Sequence, residues 1–111
     1  MKETISFSVK AVLIREENLW VLQGINYDIA AQGKSISTAK KAFEKTFIGQ
    51  VLLDIKENRK PLEGIEEAPQ YYWDLFNEGE QLKDSECVRL PKEIPPGFII
   101  DSQVCDLRIY A

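Results

Sequence analysis

Along ISFSVKAVLIR, residues 5–15, the apolar Ile5, Phe7, Val9 and Ala11 alternate with the polar Ser6, Ser8 and Lys10. A period of two is that of a strand with one face buried. Arg15-Glu16-Glu17-Asn18 is a polar break, and LWVLQGIN, residues 19–26, is again short and rich in large and β-branched side chains. The pair predicts a β-hairpin closing through Glu16-Glu17-Asn18. Gly24 marks a bend or bulge before a third short strand at roughly Tyr27 to Gln32. Residues 5–33 therefore read as a β-meander.

After Gly33 the period lengthens. Ile36, Ala39, Phe43, Phe47, Val51 and Ile55 recur at steps of three and four, with Lys40, Lys41, Glu44 and Lys45 mostly off that line. This predicts one long amphipathic helix over residues 35–57, with an apolar stripe against the sheet. Ser35 suits the N-cap, where its hydroxyl accepts from first-turn amides that lack partners. Thr38 stands where a capping box takes Glu or Gln, so the reciprocal bond is expected to be missing. Arg59 and Lys60 suit a helix C-terminus and Pro61 prevents continuation.

In PLEGIEEAPQYYWDLFNEG, residues 61–79, an acidic loop leads to an aromatic run that predicts a short second helix with Glu67 or Ala68 near its start. Beyond it, CVRL, FII and VCDLRIY read as two or three short strands divided by Pro91 and the Pro95-Pro96-Gly97 turn. No repeat or linker interrupts the chain. The expected architecture is one α+β domain spanning residues 1–111. It combines an antiparallel sheet of three to five strands with one long helix, in β-β-β-α-β order, plus the short second helix. Residues 62–111 supply the acidic aromatic segment and the C-terminal strands.

Composition narrows the function classes. The 111 residues suffice for one modest core, and 44% hydrophobic with 29% charged residues is ordinary for a globular protein. No apolar run approaches the roughly 20 residues of a membrane span. MKETISFSV lacks the basic start and continuous apolar stretch of a secretory signal, which makes the cytoplasm the default location. The net charge of −4 is uneven, +3 over residues 1–61 and −7 over residues 62–111. An acidic C-terminal half is a poor binder of nucleic acid and suits a basic protein partner.

Candidate chemistry is sparse. There is no histidine, and Cys87 and Cys105 lack C-x-x-C spacing, so neither a zinc site nor a catalytic dyad has a ligand set. The cysteines read as free thiols. Gly33-Lys34-Ser35 matches the end of a phosphate-binding P-loop, but the nearest upstream glycine is Gly24 and Asp28 sits where the first glycine belongs. That loop cannot wrap a phosphate. Asp28, Glu44 and Asp54 do not form the converging set that two-metal hydrolysis needs, and the serines have no base. No cofactor, metal site or catalytic residue is expected.

Two surface features stay open. Lys34, Lys40, Lys41 and Lys45 on the first turns of the long helix are either a solvated face around Glu44 or a small anionic contact. The aromatics between residues 71 and 76 either cover the core, plugging one edge of the helix-sheet seam, or anchor a partner. On the second reading the contact residues are Glu66, Glu67, Tyr71, Tyr72, Trp73, Asp74 and Phe76.

The β-meander, then Gln32-Gly33-Lys34-Ser35, then Ala39 on a long amphipathic helix, resembles the N-terminal domain of HicB-like antitoxins over about residues 5–56. Asp28 matches the aspartate that commonly precedes the turn in that family. The resemblance implies a partial RNase H-like fold and a non-enzymatic protein that sequesters a small toxin RNase. Residues 62–111 show no ribbon-helix-helix or helix-turn-helix segment, so only the binding half of the family function carries over. The expectation is a protein-binding module that masks a basic partner, such as a toxin RNase. An alternative is a phage or mobile-element inhibitor of a host nuclease or defence system that mimics nucleic acid with its carboxylates. An open sheet with edges to protect also implies a homodimer.

Overall fold

The computed structural model describes the backbone of residues 3–81, 88–94 and 98–110, and the side chains of residues 7–81 and 106–110. In chain order it contains β1 (Glu3–Glu16), β2 (Leu19–Gly24), β3 (Ala30–Gly33), α1 (Ile36–Lys56), α2 (Gln70–Glu78), β4 (Glu80–Gln81), β5 (Val88–Ile94) and β6 (Phe98–Tyr110). The strands form one sheet in the order β3-β2-β1-β6-β4, with β5 also paired to β6. The fold is α+β, with one long helix on a sheet.

The hairpin closes as expected, Glu16 pairing with Leu19 across Glu17-Asn18, and Glu17 takes a left-handed φ of 52°. β1 is longer than its alternating pattern, and β2 stops at Gly24. β3 begins at Ala30 rather than Tyr27, because Gly24 and Ile29 both donate into the intervening turn, to Ile29 O and Tyr27 O. Pro91 lies inside β5 rather than dividing strands, and of the two or three C-terminal strands expected, FII and VCDLRIY together form one. The polar Asp101-Ser102-Gln103 between them is paired on both sides, with Ser6-Phe7-Ser8 of β1 and Arg89-Leu90-Pro91 of β5. Cys87 and the Pro95-Pro96-Gly97 turn lie outside the described residues, and of Cys105 only the backbone is described.

The sheet is mixed, which corrects the antiparallel expectation. β1 and β6 run parallel from Glu3↔Phe98 to Ile14↔Tyr110. Alternation of apolar residues carries no strand direction. After α2 the chain is still beside the far end of β1, Glu80 pairing with Ile109. β5 then runs antiparallel to β6 as far as Ile94↔Phe98, back at the end of the sheet where β1 began, and so sets β6 parallel to β1.

α1 lays its stripe on one face of the sheet. Ala39, Phe43, Phe47 and Val51 are buried with Val9, Ala11 and Leu13 of β1, Leu22 of β2 and Leu107 of β6. Ile36 and Ile55 are partly buried at its ends. Ser35 caps the helix, and the capping box is complete, contrary to expectation: the Thr38 hydroxyl accepts from Ser35 N at 2.9 Å while Ser35 Oγ accepts from Thr38 N at 3.1 Å. A threonine hydroxyl reaches back as a short substitute for the usual Glu. Gly33 lies so close to this first turn that a Cβ would stand 2.5 Å from Ala39 N. α1 ends before Arg59 and Lys60. Glu57 is its C-cap and Asn58 turns left-handed, φ 58°, so Arg59 reaches back to Asp54 and Glu57 instead.

The opposite face is covered too. Val12 and Ile14 of β1 and Ile25 are buried against Ala68, Leu75 and Phe76, with Tyr72 and Trp73 packed alongside. The molecule therefore has three layers, with α1 and α2 on opposite sides of the sheet. Residues 11–14 of β1, Ala-Val-Leu-Ile, are all buried because each face of the strand meets its own layer.

Candidate interaction surface on the second helix

The segment that carries α2 is fixed at several points. Asp54 Oδ2 accepts from Leu62 N at 2.8 Å. Asp28 N donates to Glu66 O at 2.8 Å and Ala68 N to Ile25 O at 2.9 Å, stitching residues 66–68 to the β2–β3 turn. Behind that turn, the buried Gln23 amide donates to Gly24 O and to Asp28 Oδ1, both at 2.9 Å. Asp28 thus props the turn on which the acidic segment rests. Pro69 is the N-cap of α2 and makes no side-chain cap bond.

Side chains divide around α2 as the helical period requires. Leu75 and Phe76 are buried, and Tyr72 and Trp73 are half-buried. Arg108 of β6 locks the inner side: its guanidinium lies 4.2 Å from the Phe76 ring centroid and donates through Nη1 to Phe76 O at 3.1 Å. It also pairs with Asp106 at 3.3 Å. Gln70, Tyr71, Asp74, Asn77 and Glu78 face outward. Tyr71 is 63% exposed, its ring edge-on to Tyr72 at 5.1 Å.

The aromatic run is therefore divided between core and surface. Phe76, at 3% exposure, belongs to the core and is withdrawn from the candidate contact residues. It sits under the sheet face opposite α1 rather than at the helix-sheet seam. Tyr71 and Asp74 lie on the surface, Tyr72 and Trp73 at its border, and Glu66 and Glu67 are exposed on the approach. Glu63, Glu78 and Glu80, not singled out from sequence, are exposed as well. Glu78 was detectable, since Tyr71, Asp74 and Glu78 stand at i, i+3 and i+7.

The charge of this surface is one-sided. Residues 61–81 contain six carboxylates, all exposed, and no lysine or arginine. Lys40, Lys41 and Lys45 lie on α1, beyond the sheet, and Lys34 just ahead of its Ser35 cap; Lys40 is half-buried and Lys34, Lys41 and Lys45 are exposed. Within α2 the first turn carries no acid, while Glu78 stands in the last turn, where negative charge is unfavourable. Asp74, at mid-helix, accepts from Gln70 Nε2 at 2.9 Å, an i,i+4 pair that supports the helix. The helix dipole gives Glu78 no stabilising role.

Among the described residues no three His, Cys, Asp or Glu side chains gather as a metal site. No described helix is long and apolar enough to cross a membrane. No family model matches this chain, and neither a characterised protein nor a solved structure matches it at significance.

Proposed function

We infer that this chain is a non-enzymatic protein-binding module that masks a basic partner with the outer face of α2 and its acidic approach. The contact is made by Tyr71, Asp74, Glu66 and Glu67, with Tyr72 and Trp73 at its edge and Glu78 adjoining. One observation carries the reading: a 63%-exposed tyrosine standing in a stretch, residues 61–81, whose six carboxylates are all exposed and which has no lysine or arginine. An exposed rigid aromatic supplies contact area at low entropic cost, and one-signed charge around it steers an oppositely charged partner.

The kind of partner follows from the resemblance to HicB-like antitoxins. The β-β-β-α order of residues 3–56 supports that relation, and a small toxin RNase is the basic partner it implies. Co-expression with the product of the adjacent gene tests it. A stable complex is expected, lost on Tyr71→Ala and on Glu66→Lys with Glu67→Lys. A complex indifferent to both variants would overturn the reading. Carboxylate mimicry of nucleic acid, by contrast, predicts loss on the charge reversal and tolerance of Tyr71→Ala.

A further inference from the structure

β1 spans Glu3–Glu16, yet β2 pairs only with Ala11–Glu16. On that side the ladder closes at Lys10. Ile25 N donates to Lys10 O at 2.8 Å, Asn26 Oδ1 accepts from Lys10 N at 2.9 Å, and Asn26 Nδ2 donates to Ser8 O at 2.7 Å. The Asn26 amide stands in for one more residue of β2 before the chain turns away. Beyond it, no strand among the described residues pairs with Glu3–Ser8 on this side, while β6 holds the other side throughout. The length is about 20 Å at roughly 3.3 Å per residue.

The peptide groups of Ser8 and Lys10 point towards this edge, as their bonds to Asn26 show. By the period of two, those of Thr4 and Ser6 do also. The remaining edges are blunted. β3 has four residues and β4 two, and β5 carries Pro91, which has no N–H to offer, among Arg89, Lys92 and Glu93. Thr4-Ile5-Ser6-Phe7-Ser8 has no proline, glycine or charge.

We propose that this edge pairs with the same edge of a second copy, antiparallel about a two-fold axis at Ser6. This surface is separate from the α2 face and does not depend on its function. The self-pairing places Thr4 opposite Ser8 and Ile5 opposite Phe7, residue types that favour cross-strand pairing. The two Ser6 peptide groups exchange bonds across the axis and Ser8 N donates to Thr4 O, while Ser8 O keeps its bond from Asn26. Because the five residues are neutral, two copies that each carry a net charge of −4 meet at an uncharged strip. The interface is isologous and closed, which ends the assembly at two.

Light scattering of the full chain tests this. The wild type is expected at twice its 12.7 kDa chain mass. Ser6→Pro removes the donor on the axis and is expected to give the monomer mass. Thr4→Lys with Ser6→Lys keeps every N–H and instead sets like charges across the axis, so it reports on approach even if the proline variant fails to fold. It is expected to be monomeric with an unchanged circular dichroism spectrum. Ser6→Cys is expected to cross-link under mild oxidation far more than the wild type, which retains Cys87 and Cys105. A wild-type chain at 12.7 kDa up to its solubility limit, or a dimer that survives the lysine pair, overturns the proposal.

Discussion

Asp54 on α1 holds Leu62 in a left-handed backbone conformation: its Oδ2 accepts from Leu62 N at 2.8 Å, and Leu62 has a φ of 64° at 3% exposure. The same carboxylate accepts from Gln50 Nε2 at 3.1 Å and from Arg59 Nη2 at 3.2 Å. Asp54→Ala leaves a buried N–H without its partner in a strained turn, at a cost of about 2–3 kcal/mol. Arg59→Ala removes only a cation that is 51% exposed, worth under about 1 kcal/mol. Urea midpoints of the two variants check the order, and equal shifts would contradict it.

Two glycines are expected to respond in opposite directions. Gly33→Ala drives a Cβ to 2.5 Å from Ala39 N, against helix backbone that cannot yield cheaply, and lowers the melting temperature. At Gly49, inside α1, an added Cβ meets nothing within 4 Å. Gly49→Ala should stabilise by roughly 0.5–1 kcal/mol through helix propensity alone. Thermal unfolding of the pair measures both signs.

Asn26 closes the β1–β2 ladder with one donor and one acceptor, and its isostere separates them. Asn26→Asp keeps the acceptor for Lys10 N but sets a carboxylate against Ser8 O. Asn26→Ala should cost about 1 kcal/mol, and Asn26→Asp at least as much despite its matching shape. Hydrogen exchange at the Lys10 amide should rise in Asn26→Ala and stay protected in Asn26→Asp.

Most of the fold was legible because its core repeats are local. The stripe Ala39, Phe43, Phe47, Val51 and the Ser35 cap are periodicity and capping within one helix. Strand direction was not legible, since β1 and β6 meet across almost the whole chain. The second layer left a trace that is clear in retrospect: Ala11-Val12-Leu13-Ile14 breaks the alternation begun at Ile5, as a strand buried on both faces must. For the candidate surface, sequence identified the acidic aromatic stretch but not its division. Phe76 and Tyr71 differ only in helical phase, and the phase is fixed by Arg108, 32 residues further on.

Phe76 joins α2 to the sheet through burial at 3% and the Arg108 contact at 4.2 Å. Phe76→Ala should destabilise by about 3–5 kcal/mol and release α2. Tyr71→Ala, on the same helix, should leave the urea midpoint within about 0.5 kcal/mol, as for other surface substitutions. A large loss of stability in Tyr71→Ala would make that side chain a core residue.

The claim that the outer face of α2 meets a protein is tested most directly by a photo-crosslinking phenylalanine derivative placed at position 71 of the full chain in living cells. Position 53 serves as the control, since Leu53 is 44% exposed on α1, across the sheet. The expected result is a discrete adduct from position 71 to a protein of net positive charge, abolished by Glu66→Lys with Glu67→Lys and absent from position 53. No adduct from position 71, or the same adduct from both positions, would contradict it.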